Sequence, residues 1–94
     1  MGENPPENRV ENDVASLIYS FAQLEAFTAV AEHGSLMKAA SKLGKDRTTL
    51  RDLIDFLEDG LGYALFLREG RSLRLTPEGE QLQRQAHLLM RQVK

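Results

Sequence analysis

Cysteine and tryptophan are absent from this chain, and aromatic residues make up only 6% of it. Without cysteine, neither a disulfide framework nor a thiolate metal site can brace the fold, so the apolar core has to hold it unaided. The same absence removes any sign of an oxidising compartment. No apolar run comes near the roughly 18 residues that a bilayer span requires. The segment Met1 to Ser16 is polar, acidic and proline-bearing, unlike the basic and then apolar start of a secretory signal. A cytoplasmic protein with no membrane association is therefore expected. Missing too are a glycine-rich phosphate loop, a serine in a nucleophile-elbow pattern and a paired-carboxylate arrangement. His33 and His87 each stand alone, without a second histidine or carboxylate at metal-ligand spacing. No enzymatic activity, cofactor or metal is expected.

What remains is a chain of 94 residues, 41% of them hydrophobic, enough for one small domain with a modest core. A net charge of −2 would by itself argue against nucleic acid, but the charge is unevenly spread. Residues 1–18 carry a net −3, residues 19–75 are neutral and residues 76–94 carry +1. Any phosphate binding has to come from local clusters of basic residues, not from a basic surface as a whole.

Residues 1–18, with Asn4-Pro5-Pro6 and no evident periodicity, read as a disordered or weakly ordered tail. Apolar periodicity starts at Phe21 and continues through Leu24, Phe27, Val30 and Ala31, until His33-Gly34 ends the helix. Ser35 can cap a short second helix whose buried face is Ala39, Ala40 and Leu43. Gly44 stops it. Asp46 stands where the cap of a third helix belongs, running to about Leu61 with Leu50, Ile54, Leu57 and Leu61 as its core stripe. Two helices joined by a short glycine-containing turn form the skeleton of a helix-turn-helix.

Leu65 to Arg68 and Leu73 to Thr76 are short alternating runs on either side of Glu69-Gly70-Arg71-Ser72, a hairpin turn. Arg68, Arg71 and Arg74 crowd this hairpin, and such an arm directly after a helix-turn-helix reads as a DNA-binding wing. Thr76-Pro77-Glu78 supplies a capping threonine, a first-turn proline and an acid at the positive end of a last helix. The predicted fold is mainly α, a winged helix-turn-helix. It has a three-helix core, a two-stranded β-hairpin wing and a C-terminal helix. Its divisions are the tail at 1–18, the winged domain at 19–76 and the last helix at 77–94.

Taken in order, these residues resemble the N-terminal domain of LysR-type bacterial transcription regulators. The resemblance is carried by Leu24-Glu25-Ala26-Phe27-Thr28-Ala29-Val30-Ala31-Glu32-His33-Gly34-Ser35, by Ala39-Ala40 and by Leu43-Gly44. It continues through Ile54, Leu57-Glu58, Leu61-Gly62, Leu65-Phe66, Arg68 and Leu75-Thr76-Pro77-Glu78-Gly79. It implies that Asp46 to Leu61 is the recognition helix and that the helix from Pro77 is a linker helix pairing two copies antiparallel. It also implies sequence-specific binding of double-stranded DNA by a homodimer on an inverted repeat, in transcriptional control at the bacterial nucleoid. A small-molecule effector would act only through a C-terminal domain outside this chain.

Arg47, Thr48 and Arg51 form one outward edge at the start of the recognition helix. Arginine can pair bidentately with guanine, and threonine can contact bases or a thymine methyl; the plainer alternative is a solvated helix face. Ser35, besides capping, would aim the amide end of its helix at a phosphate. Lys45 can reach a phosphate or lie over the core. Arg68 matches the wing arginine of the family, which contacts DNA backbone or minor groove, and Arg71 and Arg74 would add charge. The alternative for all three is a solvated hairpin guarded against edge pairing. Leu82, Ala86, Leu89, Met90 and Val93 offer an apolar dimer interface on the last helix, unless that helix folds back on its own domain.

Asp52, Asp55 and Asp59 sit at the centre of the outward face of the recognition helix, where the family commonly has basic or neutral residues at the first two positions. With Phe56 beside them, they define a second reading: a protein-interaction module that docks a partner regulator through this face. Phe56 packing under the wing or the tail is the plainer alternative.

Overall fold

The computed structural model describes the backbone of residues 6–70 and 72–93, and the side-chain surroundings of residues 20–70 and 72–88. Helix α1 (Pro6–His33) leads into α2 (Leu36–Leu43) and α3 (Arg47–Leu61). Strands β1 (Phe66–Glu69) and β2 (Ser72–Leu75) form an antiparallel hairpin, and α4 (Pro77–Val93) follows. This is the winged helix-turn-helix order. The tail expected over residues 1–18 differs: α1 begins at Pro6 and not near Phe21. Proline suits the first turn of a helix. Val10, Val14, Leu17 and Ile18 carry the helical spacing of Phe21 back through an acidic stretch whose composition hides it.

The core forms where α1, α2 and α3 meet. α1 buries Ala26, Phe27, Ala29 and Val30; α2 buries Ala39 and Ala40; α3 buries Leu50, Leu53 and Ile54. The two alanines of α2 leave room for the neighbouring helices to approach closely. The expected stripe of α3 needs correcting: Leu53 belongs to it, Leu57 is only half-buried and Leu61 is exposed. Burial on α3 ends at Ile54, so the second half of the helix extends beyond the helices that cover its start.

Short polar devices set the turns. Gly34 adopts φ 67°, a left-handed conformation that costs other residues strain, and its N–H closes on the Val30 carbonyl at 2.7 Å. Ser35 then caps α2, its hydroxyl oxygen accepting from the Lys38 N–H at 3.2 Å. Gly44, also left-handed, ends α2, and the Lys45 N–H returns to the Ala40 carbonyl at 3.0 Å. Asp46 occupies the cap position of α3 through its backbone, without the side-chain capping bond the sequence suggested.

The hairpin register pairs Phe66 with Leu75, Leu67 with Arg74, Arg68 with Leu73 and Glu69 with Ser72. Alternation places Phe66, Arg68, Leu73 and Leu75 on one face and Leu67, Glu69, Ser72 and Arg74 on the other. The first face turns to the domain: the Phe66 ring packs on Phe27 with centroids 5.4 Å apart, and Leu65 just before it is fully buried. Thr76 joins wing to α4, donating its hydroxyl to the Ala64 carbonyl at 2.8 Å and accepting from the Gly79 N–H at 2.9 Å. Gly79 has no room for a side chain. A Cβ there would collide with the Leu65 carbonyl and come within 2.9 Å of the Leu75 Cδ2.

Candidate nucleic-acid interface

An open cleft of about 520 Å³ runs between the start of α2, the first turns of α3 and the wing, and its walls include Ser35, Met37, Arg47, Arg51, Arg68 and Ser72. Each element brings its residue there for a local reason. The Ser35 cap sits at the start of α2 because Gly34 turns the chain sharply. Arg47 and Arg51 lie one turn apart on α3 and are both exposed, at the rim of the buried stripe formed by Leu50, Leu53 and Ile54. Arg68 shares its hairpin face with Leu73, whose side chain packs against the core, so the guanidinium is carried toward α3 and not away from it.

Two smaller hollows extend the cleft. One is lined by Leu36, Arg47, Thr48 and Arg51. The other, between α3 and the wing, places Arg51 and Arg68 beside Asp55 and Glu58 over an apolar floor that includes Ile54 and Phe66. Glu58 is committed elsewhere: its Oε2 accepts from the backbone N–H of Leu65 at 2.6 Å and of Phe66 at 3.3 Å. It thereby ties the root of the wing to α3. Its place in the family pattern was visible in the sequence, but nothing in its spacing pointed to a bond with backbone seven and eight residues onward.

Of the sequence-predicted interface residues, Ser35, Arg47, Thr48, Arg51 and Arg68 come together around these hollows. Lys45 is exposed in the turn between α2 and α3 and lines none of them. Arg74 stands apart from them. The pleat puts it on the opposite hairpin face, where its Nη1 pairs with Glu69 Oε2 at 3.1 Å. Arg71 lies outside the described residues. Among the described residues Arg74–Glu69 is the ion pair within 4 Å, and Arg47, Arg51 and Arg68 have no acidic partner at that range.

The predicted dimer face also shifts. Ala86 is buried within the chain itself, 2% exposed, because α4 packs back on α1. Leu82 is half-buried, whereas Leu88 is 61% exposed. The side chains of Leu89, Met90 and Val93 lie outside the described residues. Among the described residues, no three His, Cys, Asp or Glu side chains gather as metal ligands, and no helix is long and apolar enough to cross a membrane.

Residues 21–80 match the model of the bacterial regulatory helix-turn-helix protein family named for lysR. The chain belongs to the lysR family. The family is one of regulatory proteins and not of enzymes. This lysR-family chain is 49% identical over 63 residues to the HTH-type transcriptional activator AllS of Klebsiella pneumoniae, covering 67% of the chain and 23% of AllS. It is 48% identical over 60 residues to a probable nitrogen assimilation transcriptional activator of Synechococcus elongatus, covering 64% of the chain and 19% of that relative. The chain thus spans only about a fifth to a third of the length of these curated relatives and others like them.

Solved structures agree with the fold. The crystal structure of BenM_DBD with benA site 1 DNA superposes with a TM-score of 0.75 at 37% identity, over 78% of this chain and 85% of that one. A CbnR_DBD–DNA complex gives 0.74 at 32% identity, over 78% and 84%.

Proposed function

We propose that this lysR-family chain binds double-stranded DNA sequence-specifically, as a homodimer on an inverted repeat, in the control of transcription in the bacterial cytoplasm. The observation that carries the reading is the cleft in which Arg47, Arg51 and Arg68 converge, with no acidic partner within 4 Å among the described residues. The likeness to two DNA-bound domains supports it. Arg47, Thr48 and Arg51, at the start of α3, read base edges in the major groove. Arg68 and the capped start of α2 at Ser35 hold phosphates and fix the register of the helix on the duplex. Lys45 adds a more distant charge.

Two copies pair through α4. Its 17 residues span roughly 26 Å, and Leu88 offers the apolar contact that Ala86, turned inward, does not. Paired recognition helices then enter successive major grooves about 34 Å apart. An effector, where one acts, binds a domain beyond this chain.

The test is fluorescence-anisotropy binding to a pool of random duplexes across roughly 50 to 200 mM salt, where phosphate-dominated affinity falls steeply. Salt-sensitive binding that enriches an inverted repeat is the expected result, with Arg51→Ala relaxing the preference at one position of each half-site. Folded protein that binds no duplex at low salt would reject the reading and turn attention to Asp52, Asp55 and Phe56 as a protein-docking face.

A further inference from the structure

Seven large apolar side chains are exposed among the described residues, and of these only Met37 lines the arginine cleft. It is the second residue of α2 and 65% exposed. The core does not account for it, since the buried residues of α2 are Ala39 and Ala40. Nor does phosphate binding, because a thioether offers neither charge nor a hydrogen-bond donor. Yet its neighbours on the cleft wall, Arg47 and Arg51, are the residues suited to guanine edges.

The major-groove edge of DNA carries one apolar group, the C5 methyl of thymine. A flexible, polarizable side chain mounted beside two arginines is matched to that group chemically and can adjust to its position. We infer that Met37 is a specificity-determining residue, packing its thioether on a thymine methyl next to the bases read from α3. The inference rests on the DNA-binding function proposed above. It adds something the arginines do not imply: a preference for thymine, set from α2 and not from the recognition helix.

The site enriched by the unaltered protein from random duplexes is resynthesised with deoxyuridine replacing each thymine in turn, which removes the methyl and leaves the pairing edge intact. One replacement per half-site should weaken binding about fourfold, the effect of exposing roughly one buried methyl. Met37→Ala should bind the thymine and uracil duplexes equally, and Met37→Leu should keep the discrimination. Thermal unfolding of both variants should match the unaltered protein, since the side chain is exposed. If no uracil replacement weakens binding, or if Met37→Ala discriminates as well as the original, the thymine contact does not exist although the domain still reads DNA. Absence of binding to any duplex would instead remove the DNA reading and this inference with it.

Discussion

The backbone N–H of Leu73 donates to the carbonyl of Gly34 at 3.1 Å, joining the second strand of the wing to the turn between α1 and α2. Leu73 is also the cross-strand neighbour of Arg68. The bond therefore fixes the strand opposite Arg68 against the very turn from which Ser35 caps α2. With Glu58 holding the start of β1, both strands are anchored to the helical body. These bonds hold the backbone of the wing against the body beside the cleft.

Gly34 itself is open to a direct test. A Cβ there would meet only the Leu73 carbonyl oxygen, at 3.9 Å, so there is space for it. The difficulty is φ 67°. Gly34→Ala should lose about 1–2 kcal/mol of stability, the cost of a side chain in the left-handed region, read from urea unfolding. The structure of the cleft, and hence affinity per folded molecule, should be retained. An unchanged unfolding midpoint would show that the turn relaxes freely.

Glu58 separates the structural and electrostatic parts of the same hollow. Its carboxylate is spent on two backbone N–H groups at the wing root, partly shielded from water. Glu58→Ala leaves both donors unpaired and should cost about 1–3 kcal/mol. Glu58→Gln keeps an acceptor oxygen and should lie between. Faster amide exchange at Leu65 and Phe66 in the alanine variant would locate the damage, and protection equal to the original would show that other acceptors replace Glu58.

Much of this was legible from the residue pattern. The order of elements, the Ser35 cap, the Gly34 and Gly44 stops and the hairpin all follow from turn chemistry and apolar spacing, which act over a few residues. What escaped depends on distance or on the pleat. The α1 extension carried its periodicity under an acidic composition that suggested a tail. Leu53 is buried and Leu61 exposed because only part of α3 is covered, a matter of where neighbouring helices end. Arg68 and Arg74 look equivalent in sequence, whereas strand alternation sends them to opposite faces. For Ala86 the apolar spacing of the last helix fits a dimer face and a helix folded back on its own domain equally well; it points inward because α4 leans on α1, a choice no local signal encodes.

The two wing arginines make that difference measurable. Arg68→Ala should weaken binding to all duplexes alike and reduce the steepness of the salt dependence by about one unit, as expected for a lost phosphate contact. Arg74→Ala removes a side chain that lies 71% exposed against Glu69. Exposed pairs of this kind contribute little, so stability and DNA affinity should both stay close to the original. Equal losses from the two substitutions would mean that the wing meets DNA with its edge and not with the face the register assigns.

Asp55 is the feature of the cleft least suited to a polyanion. It is exposed and lines the hollow shared by Arg51 and Arg68, with no cation within 4 Å among the described residues. A carboxylate near a phosphate path is repelled, an effect of roughly 1 kcal/mol for charges about 4 Å apart in water. Asp55→Asn keeps the shape of the residue and removes the charge. It should therefore tighten binding about fivefold at low salt, uniformly across sequences, and the gain should shrink as salt screens the interaction. The alternative is a direct hydrogen bond from a cytosine amino group to the carboxylate. In that case the asparagine variant would bind its selected site more weakly and lose a cytosine preference at one position. The sign of the change decides the role: a gain marks Asp55 as a brake on non-specific phosphate binding, leaving discrimination to the arginines beside it, and a loss makes it a reader in its own right.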